Sequence, residues 1–224
     1  MSTNHFATAC REYRFLRERG YPEKGALKLV SDHHRLSRAE RNSLFRGVVQ
    51  GAVARERLAK LVDTGGVRGQ RIGVDWYNVM ITVESYLRGQ PVFLCDDGIL
   101  RDSSATHASY RRGPVSERAI DSILAALAAT QPAAIDAFLD SPIAHSGLLA
   151  EELRGRLETL GARASVELSH SADYPLKSYT GVVASSDSVI LDRAAHVFDL
   201  ARFTLELRFA FTPPPLEELS IAAP

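Results

Sequence analysis

Three aspartates in this chain each follow an apolar run. Asp75 comes after Ile72-Gly73-Val74, Asp140 after Ala137-Phe138-Leu139, and Asp187 after Val182-Val183-Ala184-Ser185-Ser186. Apolar runs of this length read as short strands. If the strands are parallel, their carboxyl ends share one edge and the three carboxylates come within several ångströms of each other. Carboxylates that close repel one another and destabilise an empty site. A hard divalent cation, Mg²⁺ or Mn²⁺, relieves the repulsion, keeps some of its waters and bridges to a phosphate. Bound there, it would make a water nucleophilic and stabilise charge on a phosphodiester. Asp75, Asp140 and Asp187 are therefore the candidate metal ligands and catalytic residues. Each taken alone also reads as the N-cap of the helix after its strand. No His/Cys cluster points to zinc instead.

Other polar residues could support such a site. Asn78 would position Asp75, a ligand water or a substrate phosphate; its other reading is a cap for the following helix. Asp173 is a candidate fourth acid or an ordinary turn residue. Glu84, two to three helical turns beyond Asp75, is a further candidate acid; its other reading is a residue pointing away. His145 stands just after Asp140-Ser141-Pro142, in a loop that could flank the site; His107 lies in another such loop. Either could do general acid–base work, or be an ordinary loop histidine. Arg101, Arg111 and Arg112 could contact phosphates or sit in a solvated loop. Asp96 and Asp97, before Gly98, read better as hairpin turn residues. Asp192 is explained as well by a surface ion pair.

The elements that must position these residues alternate. Strands are expected over 71–74, 133–139, 164–168 and 181–184, with 197–200 as a last short strand. Helices are expected over 78–87, from Ser116 onward, over 148–160, and from Asp187 to about 195. Residues 91–95 and 99–101 read as a β-hairpin. The pattern predicts an α/β fold, a mostly parallel sheet with flanking helices. In such sheets ligands sit outside the carboxyl ends of the strands.

The first 63 residues read instead as helices. Apolar residues recur at helical period over 6–19, and Gly20 and Pro22 stop that run. A second helix covers 23–32. Ser37 with Glu40 forms a capping box that opens a third. A fourth runs over roughly 52–62. The glycine-rich stretch Thr64 to Gln70 is the best linker. The expected organisation is a small, basic, all-helical domain at 1–66, the α/β domain at 71–210, and a loose Pro-rich tail at 211–224.

Net charge is zero over the 224 residues, but unevenly placed. Residues 1–70 hold 14 Lys+Arg against 7 Asp+Glu, a net of +7, and the rest hold 13 against 20, a net of −7. The basic part could meet a polyanion while the acidic part holds cations; equally, the two could simply attract each other. A turn between the second and third helices makes a helix-turn-helix-like reading available. Arg38, Arg41 and Arg46 would then face nucleic acid, and the other reading is plain packing. The two cysteines, Cys10 and Cys95, are far apart and in no ligand spacing. There is no secretory h-region and no window of about 18 apolar residues, so the expected location is the cytoplasm with no membrane contact.

Arg71-Ile72-Gly73-Val74-Asp75-Trp76-Tyr77-Asn78-Val79 resembles the opening motif of the PIN/NYN-type metal-dependent nucleases, with Trp76 where glycine is usual. Ala137 to Ser141 resembles the second acidic strand end of that superfamily. Val182 to Asp187 resembles its later strand ending in Thr/Ser-x-Asp, and His170-Ser171-Ala172-Asp173 resembles the segment in which an Ala-Asp pair starts a helix. The ordered set covers about residues 71–205. The whole chain also resembles an uncharacterised archaeal and bacterial family, a domain of unknown function with a helical N-terminal part. The resemblance implies a PIN-like fold with Mg or Mn at Asp75, Asp140 and Asp187. The acid that such folds usually supply from mid-domain has no clear counterpart.

The chain lacks a Gly-rich dinucleotide turn, a GxxxxGK[ST] phosphate loop and a GxSxG elbow. Nor does Asp75-Trp76-Tyr77 supply the Asp-x-Asp of an aspartate-nucleophile phosphatase. Two functions remain. One is a Mg/Mn-dependent nuclease, most naturally a ribonuclease, whose basic helical part grips RNA. The alternative is a catalytically inactive PIN-like module that binds RNA or a protein.

Overall fold

The computed structural model describes residues 5–103, 110 and 112–219. Two compact units share the chain. The first takes Met1–Ala59, Gly89–Ala105 and Thr212–Pro224, and the second takes Lys60–Arg88 and Thr106–Phe211. In chain order the elements begin α1 (His5–Glu18), α2 (Glu23–His33), α3 (Arg38–Gly47), α4 (Gly51–Leu58) and α5 (Thr64–Val67). There follow β1 (Arg71–Asp75), α6 (Trp76–Leu87), β2 (Val92–Leu94), β3 (Leu100–Asp102), α7 (Pro114–Thr130) and β4 (Ala134–Asp140). The chain continues with α8 (Ser146–Glu158), β5 (Arg163–Ser169), α9 (Asp173–Leu176), β6 (Val182–Ala184) and α10 (Ser188–Arg193). It closes with β7 (His196–Val197), α11 (Leu200–Phe209) and a 3₁₀ turn at Leu216–Glu218. Among the described residues no helix is long and apolar enough to cross a membrane.

The first unit holds α1 to α4, the antiparallel hairpin β2–β3 and the 3₁₀ turn. Ser37 and Glu40 make the expected capping box: Ser37 N–H donates to Glu40 Oε2 at 2.7 Å, and Glu40 N–H donates back to Ser37 Oγ at 3.3 Å. The core gathers Phe6, Cys10, Tyr13, Val30 and Leu44 with Phe93 and Leu216. This corrects the expected division of the chain: the helical unit is not confined to 1–66, because the hairpin belongs to it. Nor is the tail loose as far as Leu219. Leu216 is 1% exposed, and Leu94 N–H donates to the Pro214 carbonyl at 2.9 Å. A proline run lacks N–H donors but keeps its acceptors, and its stiffness lowers the entropy lost on docking.

Asp96 and Asp97 do more than turn the hairpin. Asp96 takes two hydrogen bonds from Arg14, at 3.0 and 2.7 Å. Asp97 is fully buried between Arg57 and Arg101, which donate to it at 2.7 to 2.9 Å.

The second unit carries a five-stranded sheet of order β5-β4-β1-β6-β7, every pair parallel. β1 is central, and four of its five residues are buried, which is why it reads as one apolar run rather than an alternation. α7 turns Ile120, Ile123, Leu124 and Leu127 inward at i, i+3, i+4 and i+7, and α8 turns in Leu149, Leu153 and Leu157. Gly73 has α9 close above it: a Cβ there would meet Leu176 and Tyr179 at 3.0 Å.

Three boundaries differ from expectation. The stretch Thr64 to Gln70 is not an open linker: α5 forms there, capped by Asp63, with Val67 buried. The last strand stops at Val197. Beyond it Asp199 accepts from Arg202 N–H at 3.0 Å and opens α11, a helix absent from the sequence reading.

Candidate functional site

From β1 the chain goes to β4 and β5 on one side of the sheet, then to β6 and β7 on the other. The winding therefore reverses between β1 and β6, and the crevice outside their carboxyl ends is where such sheets hold ligands. Asp75 ends β1, and Asn78 lies in the first turn of α6. Ser185 and Ser186 follow β6. Ser185 Oγ donates to Asp75 Oδ2 at 2.8 Å. Asn78 Oδ1 accepts from Ser186 N–H at 2.8 Å and from Ser186 Oγ at 2.9 Å. Its carbonyl oxygen thus occupied, Asn78 keeps an amide NH₂ that only donates.

A cleft of about 330 Å³ opens here, lined by Asp75, Asn78, Asp140, His170, Asp173 and Asp187, with Pro142, Ile143 and Ser171 completing the wall. All three acids expected at the strand ends line it, as do Asn78 and Asp173. Each has local work as well. Asp140 Oδ1 accepts from Ala172 N–H at 2.8 Å, which brings the start of α9 to the end of β4. Asp187 caps α10, accepting from Val189 N–H at 2.8 Å and Ile190 N–H at 3.3 Å. Asp173 lies 3.8 Å from Lys177.

Among the described residues, those that line the cleft include four carboxyl groups and no Lys or Arg. Burial pushes the Asp75 carboxyl up to about 8; the charges of Asp140, Asp187 and Asp173 add to this, against the hydrogen bond from Ser185. At neutral pH Asp75 therefore keeps a proton unless a cation replaces it. Among the described residues, no three of these acids bring carboxylate oxygens within 4.8 Å of one another. The ring is wide. Its all-oxygen donors suit a hard ion that retains waters, Mg²⁺ or Mn²⁺, rather than a bare, tightly caged one.

Several expected residues lie elsewhere. Glu84 is buried on the later turns of α6, where it accepts from Tyr110 Oη at 2.5 Å and from Arg88 at 2.6 Å. It is a packed ion-pair residue and does not line the cleft. His145 has φ 64° and precedes α8; that turn sends it to a different cleft, of about 500 Å³, with Tyr77, Tyr110 and Arg112. Arg112 pairs there with Glu117 and with Glu152. Arg101 is buried against Asp97 within the first unit. Arg41 pairs with Asp32 at 2.9 Å and Arg46 with Asp102 at 3.5 Å, whereas Arg38 is exposed. Arg111 and His107 lie outside the described residues. Trp76, where glycine was expected, is fully buried and does not line the cleft.

His170 and the two serines were missed as site residues. Ser185 and Ser186 stood between the strand and Asp187, where a polar pair after Val182-Val183-Ala184 is a signal in hindsight. His170 stood beside Asp173 in a segment already singled out.

The family profile described as a domain of unknown function, DUF5616, matches residues 64–203. The chain belongs to the DUF5616 family. Every residue that lines the acidic cleft falls inside the DUF5616 match. A second profile, described as a protein of unknown function, DUF434, matches residues 5–60. An uncharacterized protein of Methanocaldococcus jannaschii, MJ0935, is 30% identical over 197 residues, which cover 87% of this DUF5616 chain and 94% of the relative. No solved structure matches.

Proposed function

We propose that the second unit is a PIN/NYN-like phosphodiesterase that hydrolyses RNA with the help of Mg²⁺ or Mn²⁺. The observation that carries this reading is the meeting of Asp75, Asp140, Asp173 and Asp187, from four separate segments, in one cleft at the reversal of the sheet. Asp75, Asp140 and Asp187 would hold the cation, whose chemistry is to polarise a phosphate oxygen and lower the pKa of a bound water. Asn78 would donate to a substrate phosphate from its amide, since its carbonyl oxygen is taken by Ser186. His170, exposed on the cleft wall, would exchange a proton with a substrate or a water. The exposed Arg38 of the first unit is a candidate phosphate contact.

A second reading has its own support. Asp140 and Asp187 each accept backbone hydrogen bonds, so both have structural work without any cation. On that reading the domain is inactive and binds RNA or a protein.

The deciding experiment incubates the full chain with single-stranded and structured RNA in Mn²⁺, beside Asp140→Asn and an EDTA control. Cleavage by wild type, lost in both controls, supports the nuclease. Binding at low salt without cleavage supports the module. Absence of both removes the nucleic-acid reading.

A further inference from the structure

A second cluster of ligand-type side chains lies in the first unit. Glu12 is on α1, His33 ends α2, and His34 caps its C-terminus. One ligand atom from each lies within 4.8 Å of the others, the one such group of three or more among the described residues. His34 Nε2 is 2.7 Å from Glu12 Oε2. The rings of the two histidines meet edge to face, with centroids 4.8 Å apart and planes at 88°. Sequence spacing concealed the group, because the histidines are adjacent and the glutamate stands a helix away.

We propose that Glu12, His33 and His34 bind a borderline divalent transition metal, Zn²⁺ by preference, which joins α1 to the C-terminal end of α2. Two imidazoles and a carboxylate form an N,N,O set that suits zinc, cobalt or nickel better than magnesium. Three protein ligands leave a fourth position for water or an incoming donor. Two features of the surroundings agree. The last carbonyls of a helix carry partial negative charge, so the end of α2 favours a cation. A cleft of about 480 Å³ adjoins the group: Glu12 and His33 line it, together with Phe15, Leu16, Leu29 and Val30. That cleft gives the fourth position an open approach with an apolar wall. Arg11 also lines it, with its guanidinium donating to Thr8 Oγ1 at 2.9 Å. An ion pair alone would account for Glu12 and His34, but not for the convergence of His33 on both.

The test uses the full-length chain without an affinity tag, stripped with a chelator. Co²⁺ is titrated in while the visible spectrum is read, and Zn²⁺ affinity is measured against a chromophoric chelator. The expected result is one equivalent of Co²⁺ with intense visible bands, displaced by Zn²⁺. Affinity should fall at least about tenfold in each of Glu12→Gln, His33→Ala and His34→Ala. No visible band and no zinc retained would overturn the proposal, as would retention unchanged in all three variants. If a variant fails to fold, the zinc K-edge spectrum of wild type decides. Scattering from two imidazoles supports the site, and an all-oxygen shell overturns it by placing the metal among the aspartates.

Discussion

Ser185 Oγ donates to Asp75 Oδ2 across 2.8 Å and so ties the turn after β6 to the end of β1. The contact favours the charged carboxylate. It is outweighed by burial and by three neighbouring acids, so that Asp75 titrates near 8 in the folded chain. The folded protein therefore holds a proton on Asp75 at pH values where the unfolded chain has released it.

The sign of the pH effect follows. Between about pH 4 and 8 the folded state binds more protons than the unfolded, so stability falls as pH rises through that window and levels off above it. Asp75→Asn removes the penalty. In the absence of metal the variant should be more stable than wild type by on the order of 5 kcal/mol at pH 8, and the gain should vanish near pH 4. Urea unfolding across that range measures it. A wild type as stable as the variant at pH 8 would contradict the buried, protonated carboxyl.

Asn78→Ala should be costly in two ways. It removes the Asn78 Oδ1 acceptor used by Ser186 N–H and Oγ in a buried position, a loss of about 1–3 kcal/mol. It also frees the turn that carries Asp187, so RNA cleavage, where measurable, should drop roughly 10- to 100-fold. Thermal denaturation and cleavage rates on the same preparation separate the two. A fully active variant would restrict Asn78 to holding the turn.

Asp97 offers a test of the first unit alone. Burial raises its carboxyl pKa, but Arg101 and Arg57 prevail and hold it below the usual carboxylate range. Asp97→Ala removes the carboxylate from between two buried guanidiniums and should cost about 3–5 kcal/mol. Because the native pKa is depressed, the contribution of Asp97 is present at neutral pH and is lost as pH falls below the ordinary carboxylate range. Chemical denaturation should show wild type and variant converging in acid. A difference below 1 kcal/mol at pH 7 would mean that the two arginines find other anions.

Much of the acidic cleft was legible because strand ends are local features. An apolar run followed by Asp predicts both a strand and where its carboxylate sits, and parallel pairing does the rest. The Ser37–Glu40 box was legible for the same reason: all its partners lie within four residues. What escaped depended on distant partners. Asp97 looked like a turn residue because its arginine at position 57 is forty positions away. His145 follows Asp140 closely, yet with its own φ at 64° it lines the second cleft. α11 was hidden because Val197-Phe198 continued the look of a strand, although Leu200, Ala201, Thr204 and Leu205 already had the spacing of a buried helical face. The four-acid ring was wider than parallel strands alone suggested, since Asp140 and Asp187 are each drawn toward backbone N–H groups.

The chain passes between its two units four times. The two family profiles divide it only once, near residue 60. Those descriptions are not interchangeable with physical parts. A gene cut at residue 60 would encode a sheet unit burdened with a hairpin and a tail whose apolar residues, Phe93 and Leu216, had lost Phe6 and Leu44. The reciprocal fragment would lack the same two side chains from its centre. Neither half therefore carries a complete core for the first unit.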